Sequence, residues 1–219
     1  VDQFDFDPDA VVRKIRAKAD AMSAEEIDAI EAEIEESERR LRLRVAESWA
    51  VPRRVLDVLS ERPRVTEGVQ AVKAWQSRSA SDWCLVLSGP PGVGKSIAAA
   101  WWLAHEARDR RDVPNAFPCW WTAGKLARVS GYDGTIDRVG KVGPLVIDDL
   151  GTEYGDANGY WYSRLDELLD QRYSNNRRTI LTTNLNASEF RERYGERIVD
   201  RIREATTHAF VGLEGASLR

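Results

Sequence analysis

The run "GPPGVGKS", Gly89 to Ser96, places a glycine, four residues, a second glycine, then Lys95 and Ser96 in immediate succession. It follows the apolar run "WCLVLSG" and precedes an Ala-rich segment of helical spacing, which is the strand, loop and helix context in which such a loop holds phosphates. Glycines let the chain wrap with its N–H groups inward, the helix N-terminus adds partial positive charge, and Lys95 neutralises β and γ phosphates. The pattern predicts a nucleotide site made by Gly89, Pro90, Pro91, Gly92, Val93, Gly94, Lys95, Ser96 and Ile97. In it the Ser96 hydroxyl is a ligand for Mg²⁺.

A second acidic element follows. In "PLVIDDLG" the apolar residues Leu145, Val146 and Ile147 deliver Asp148 and Asp149 to the C-terminal end of a buried strand, where ligands sit in open α/β sheets. Asp148 is the candidate metal carboxylate, acting through the ion's water shell, and Asp149 the candidate base or polariser of an attacking water. A third strand, "TILTTNL", ends in Asn184, whose neutral amide can orient water against a γ phosphate without adding negative charge. Phosphate loop, acidic strand end and polar strand end, in that order, describe an additional-strand P-loop ATPase rather than a small-molecule kinase.

These residues need a sheet to position them. From Trp83 onward short apolar runs alternate with helical segments: "WCLVLSG", a helix from 95 to about 110, then "FPCWWTA", "PLVIDDL", "TILTTNL" and "HAFVGLEG". Such alternation predicts a mostly parallel sheet covered on both faces. The pairs Trp101-Trp102 and Trp120-Trp121 fit the core beside that sheet better than a ligand platform. Before it, "VPRRVLDVLSERPRV" is a junction, and residues 1–50 form a helical arm. One helix is expected from "DPDAVVRKIRAKADAM" and a second after Ser23, where "SAEE" makes a capping box. The second helix carries Ile27, Ile30, Ile34, Leu41, Val45 and Trp49 at nearly coiled-coil spacing. It is Glu-rich over 25–38 and Arg-rich over 39–44, which suits the helix dipole as well as a partner-docking arm.

The bulk numbers describe a water-soluble globular chain: 219 residues, 42% hydrophobic and 31% charged, with no apolar run approaching a membrane span. The formal charge of -4 divides unevenly, residues 1–50 holding 8 basic and 14 acidic side chains and the remainder 24 and 22. That balance advertises no nucleic-acid binder by itself, although local patches are compatible with it. An acidic start without a basic region and apolar stretch is unlike a secretory signal, so a cytoplasmic location is expected. Cys84 and Cys119 fall in strand-like runs and are expected to be reduced core residues, and with only His105 and His208 no zinc site is expected.

Taken jointly, "GPPGVGKS", "VIDDLGTE", "LDQRYSNNRRTILTTNL" and "YGERIVDRIREAT…GLEGASLR" resemble the AAA+ ATPases of the DnaC/DnaI helicase-loader and IstB transposition-helper group. The resemblance covers roughly residues 50–219. It implies an AAA+ (ASCE) P-loop NTPase of three layers with a five-stranded, mostly parallel sheet over residues 51–219, and a lid that is absent or minimal. It implies ATP and ADP as ligands, Mg²⁺ as cofactor, and Asn184 as the sensor-1 residue. In "GERIVDRI" Arg197 and Arg201 stand one turn apart, where Glu196, Asp200 and Glu204 could simply solvate them. The resemblance instead implies that Arg201, with Arg197 second, is a finger reaching a neighbouring subunit's phosphates, and that Arg219 is a sensor-2 residue. Many members of the group carry a zinc-binding module where this chain has its helical arm.

The function implied is an ATP-hydrolysing loader that assembles into a ring or spiral on single-stranded DNA and a DnaB-type replicative helicase. DNA contact would fall to Lys125, Arg128, Arg138 and Lys141 around "GYDGTIDRVGK", residues that surface solvation also explains. An IstB-like transposition helper is the second reading. A third is a nucleotide-gated assembly module that hardly turns over, because Asp149 is one methylene shorter than glutamate.

Overall fold

The five apolar runs become five parallel strands in a computed structural model of the chain, which describes residues 23–61, 66–78, 82–106, 117–132, 134–153, 159–204 and 209–215. They are β1 (Cys84–Ser88), β2 (Trp120–Thr122), β3 (Leu145–Leu150), β4 (Thr179–Thr183) and β5 (Phe210–Gly212), ordered β2-β3-β4-β1-β5. Every pairing is parallel, with Leu85 opposite Ile180, Ile147 opposite Leu181, and Val86 opposite Phe210. Parallel strands need crossovers, and the crossovers cover both faces, so β1 and β4 are buried throughout.

Alternation along β1 shows how the two faces are shared. Leu85 and Leu87 pack in one core with Val146 and Ile180, while Cys84 and Val86 pack in the other with Leu145, Ile147 and Leu181. Among the described residues, α2 (Arg53–Ser60), α3 (Glu67–Gln76) and α4 (Lys95–Glu106) pack on the first face. Ala98, Ala99 and Ala100 of α4 are fully buried, and their short side chains let the helix that follows the phosphate loop lie close to the sheet. The second face is covered by α5 (Ala123–Val129), α6 (Thr135–Lys141), α7 (Tyr160–Ser174), α8 (Ala187–Tyr194) and α9 (Glu196–Glu204). Of the tryptophan pairs, Trp102, Trp120 and Trp121 are buried and Trp101 is partly so. The helix expected from about 95 to 110 is described to Glu106, and the one expected from Pro8 lies outside the described residues.

The N-terminal helix α1 (Ala24–Ser48) opens as its capping box predicts: the Ser23 N–H donates to Glu26 Oε2 (2.8 Å) and the Glu26 N–H to Ser23 Oγ (3.3 Å). The expected apolar stripe is divided along its length. Ile27, Ile30, Ile34 and Leu41 are exposed, whereas Ala46 and Trp49 belong to the buried core of the first face. Internal contacts accordingly separate residues 1–41 from 42–219, a division earlier than the 50/51 boundary read from the sequence. The Trp49 carbonyl accepts the N–H groups of Cys119 (3.2 Å) and Trp120 (3.1 Å) at the outer strand β2. No described helix is long and apolar enough to cross a membrane.

Candidate functional site

Gly89 leaves β1 with φ of 145°, and a Cβ there would stand 2.3 Å from the Leu213 carbonyl oxygen, so no other residue fits the start of the loop. Gly92 and Gly94 also take positive φ, 91° and 93°, and turn the loop back onto the first turn of α4. Lys95 is buried beneath it. Its Nζ donates to the carbonyls of Gly89 (2.7 Å) and Pro90 (2.9 Å) and to Asn184 Oδ1 (2.8 Å). The phosphate-loop lysine and the polar end of β4 are therefore in direct contact, although 89 residues separate them.

The acidic strand end lies alongside. Ser96 Oγ donates to Asp148 Oδ1 (2.8 Å), and Thr182 Oγ1 donates to the same oxygen (2.6 Å) while accepting the Asp149 N–H (2.9 Å). Burial pushes the Asp148 carboxyl above the usual carboxylate range; the Thr182 and Ser96 hydroxyls work against this and the neighbouring Asp149 adds to it. A hydroxyl and a desolvated carboxylate in contact are hard oxygen donors suited to a divalent ion such as Mg²⁺. The strand register shifts between Ile147 and Leu150, and Asp149 takes the left-handed conformation, φ 60°. This bulge separates the two aspartates: Asp148 stays buried against Ser96, and Asp149 faces the cavity.

That cavity is open and measures about 770 Å³, a size suited to a nucleotide. From the glycine loop and the strand ends it is lined by Pro91, Gly92, Gly94, Lys95, Ser96, Ile97, Asp149 and Asn184. Arg54, Val55, Val58, Glu61, Thr66 and Thr152 also line it. The sequence assigned none of these last six a role. "VPRRVLDVLSERPRV" reads as a linker because its apolar residues also pack inward: Val55, Leu56 and Leu59 are buried while Val58 is exposed.

Arg201 and Arg197 do not join this cavity within the chain. Arg201 pairs with Asp166 through Nη1 and with Asp170 through Nη2 (2.6 Å), both on α7, and its side chain is 13% exposed. Arg197 is 71% exposed and makes a longer contact with Asp166 (3.4 Å). Among the described side chains, the carboxylates that receive these cations thus come from α7, and not from the helix's own Glu196 and Asp200 as local spacing suggested; Glu196 pairs instead with Arg191 (3.3 Å), and the side chain of Glu204 lies outside the described residues. Arg219 lies outside the described residues.

The basic residues proposed for DNA contact are distributed over α5 and α6. Lys125 stands over the Trp121 ring at 5.2 Å and Lys141 pairs with Asp137 (2.6 Å). The sequence reading missed two exposed aromatics, Tyr132 after α5 and Tyr160 at the start of α7. A Cβ on Gly131, the residue before Tyr132, would lie 3.9 Å from the Tyr160 ring.

No protein-family model matches the chain, and no curated protein matches it. Solved structures do share its fold. The DnaC helicase loader superposes with a TM-score of 0.51 at 21% identity, covering 66% of this chain and 87% of that one. A protein assigned as a primosome component from Streptococcus pyogenes serotype M3 gives 0.50 at 24% identity, with 70% and 81% covered. AMPPCP-bound DnaA from Aquifex aeolicus gives 0.51 at 18% identity, covering 70% of this chain and 49% of DnaA. The chain thus shares its fold with the DnaC helicase loader and with AMPPCP-bound DnaA.

Proposed function

We propose that the chain binds ATP with Mg²⁺ in the cavity under the glycine loop, hydrolyses it, and uses the cycle as a helicase loader in DNA replication. The contact of Lys95 Nζ with Asn184 Oδ1, beside the Ser96–Asp148 pair, is the observation that carries this reading. On entry, triphosphate oxygens replace the carbonyls of Gly89 and Pro90 as acceptors for Lys95. Ser96 and Asp148 would hold Mg²⁺, which supplies charge neutralisation across the β and γ phosphates. Asp149 and Asn184 then orient and polarise the attacking water at the exposed side of the γ phosphate. Val55, Val58 and Ile97 offer apolar surface to the base, with Arg54 and Thr66 at its edge.

Lys95→Ala tests the site itself: isothermal calorimetry should lose the ATP signal altogether, and an unchanged affinity would end the proposal. The arginine finger is tested separately. If Arg201 serves a neighbouring subunit, it exchanges Asp166 and Asp170 for phosphate oxygens on assembly, and Arg201→Ala should lower turnover by about 10³-fold with ATP affinity retained. Arg197→Ala is the control, since that side chain is the exposed one of the pair.

DNA engagement is supported by the exposed rings of Tyr132 and Tyr160, suited to stacking single-stranded bases, with the cations Arg128 and Arg138 close to Tyr132 in sequence. Tyr132→Ala should weaken single-stranded DNA binding by about 1–3 kcal/mol in fluorescence anisotropy and leave ATP affinity unchanged. The acidic stretch of α1 is the docking arm for a DnaB-type helicase. Deleting residues 1–41, which spares the buried Trp49, should abolish co-purification with the helicase and preserve nucleotide binding. A nucleotide-gated assembly module is the second reading, favoured by the occupation of Arg201 by its own chain's carboxylates. It predicts ATP-dependent oligomers in light scattering with negligible phosphate release.

A further inference from the structure

The "TE" that follows "DDLG" and the "RY" that precedes "GERI" have no part in the chemistry above, yet they meet in the structure. Glu153 ends the turn that leaves β3, and its side chain has no exposed surface. One carboxylate oxygen, Oε2, accepts the Gly151 N–H of that same turn (2.8 Å). The other, Oε1, accepts the Tyr194 phenol, and Arg193 Nε lies 3.5 Å from it. Arg193 Nη2 also donates to the Glu153 carbonyl (2.7 Å). Burial, with the carboxylate beside it, pushes the Tyr194 phenol far up, so its proton stays in place to be donated.

The two ends of this contact belong to different machinery. On one side, Thr152 Oγ1 donates to the Asp149 carbonyl (2.7 Å), and Thr152 and Asp149 both line the cavity. On the other side, Tyr194 is the last residue of α8, Gly195 follows with φ of 85° and open space around it, and α9 then carries Arg197 and Arg201. A buried carboxylate that is fully engaged cannot release one side without seeking the other, and Gly195 is the point at which α9 can swing.

We propose that Glu153 is a positioning residue that ties the turn beside the γ phosphate to α9, so that filling the cavity and reorienting Arg197 and Arg201 are one event. This rests on the cavity being an ATP site. It makes the nucleotide state of one subunit legible in the pose of the arginines it offers to the next.

Hydrogen exchange of the α9 amides, residues 196–204, tests the tie with and without Mg²⁺ and AMPPCP. Wild type should bind the analogue and change α9 exchange by about fivefold. Glu153→Gln should bind with a Kd within about twofold of wild type and lose the α9 response. Tyr194→Phe removes a single donor, leaves the carboxylate with Gly151 and Arg193, and should retain a reduced response, so it carries the test if Glu153→Gln does not fold. A merely structural glutamate would lower the melting temperature of the variant and leave the α9 response intact, which would overturn the proposal. Binding by wild type with no α9 response would overturn the tie alone. Absence of binding by wild type would overturn the ATP site and the tie with it.

Discussion

Arg172 and Arg201 both depend on α7 and are held by different kinds of acceptor. Arg172, with no exposed surface, donates to the carbonyls of Val139, Gly140, Val142, Gly143 and Arg178 and to Thr179 Oγ1 (2.7 Å). No carboxylate takes part in those bonds. Burial draws the guanidinium down to about 9, still well above neutrality, so it remains a cation whose charge is met by carbonyl dipoles. Arg201 is met by Asp166 and Asp170 near the surface. The difference separates a fastening from a contact that can be exchanged: five carbonyls are fixed in the backbone around a buried cation, while two side-chain carboxylates near the surface can be traded for other anionic oxygens.

The strongest way to sharpen that contrast is Arg172→Ala. It strands the carbonyls around residues 139–143 and the start of β4, and should cost about 3–5 kcal/mol. Scanning calorimetry should then show a melting temperature lower by roughly 10 °C. Arg172→Lys should recover little, because one ammonium cannot span acceptors arranged for a planar fork. The paired change Asp166→Asn with Asp170→Asn should cost only about 1 kcal/mol, and its difference from wild type should vanish in denaturant titrations at about 1 M salt. A loss as large and as salt-insensitive as that of Arg172→Ala would break the contrast. Arg197→Ala, at an exposed side chain, should stay within about 0.5 kcal/mol of wild type. The mildest probe is covalent: burial pushes the Cys84 thiol far up, so it should resist alkylation at pH 8 in the native protein and react once Arg172→Ala loosens the core.

The sheet and the phosphate loop were legible in the sequence because their signals are local. Apolar runs of strand length, the G-x-x-x-x-G-K-S spacing and the Ser23–Glu26 capping box each carry their structure within a few residues. Contacts across the fold were not legible. Spacing offered Glu196, Asp200 and Glu204 to the arginines of α9, but packing of α9 against α7 supplied Asp166 and Asp170. The stripe from Ile27 to Trp49 reads as one continuous face, and only the position of the sheet decides that its last part is core. The cavity-lining residues Arg54, Val55 and Val58 follow the same rule: α2 is amphipathic whether or not its other face borders a ligand.

The Trp49 carbonyl, which takes two N–H groups of the segment leading into β2, has a consequence for how copies of this chain can meet. An outermost strand with unanswered donors invites a foreign strand to zip onto it, the route by which sheets grow into fibres. Here the donors of Cys119 and Trp120 are already answered by their own chain, and β2 has only three residues to offer. A foreign strand would have to displace Trp49 before it could pair along that border of the sheet.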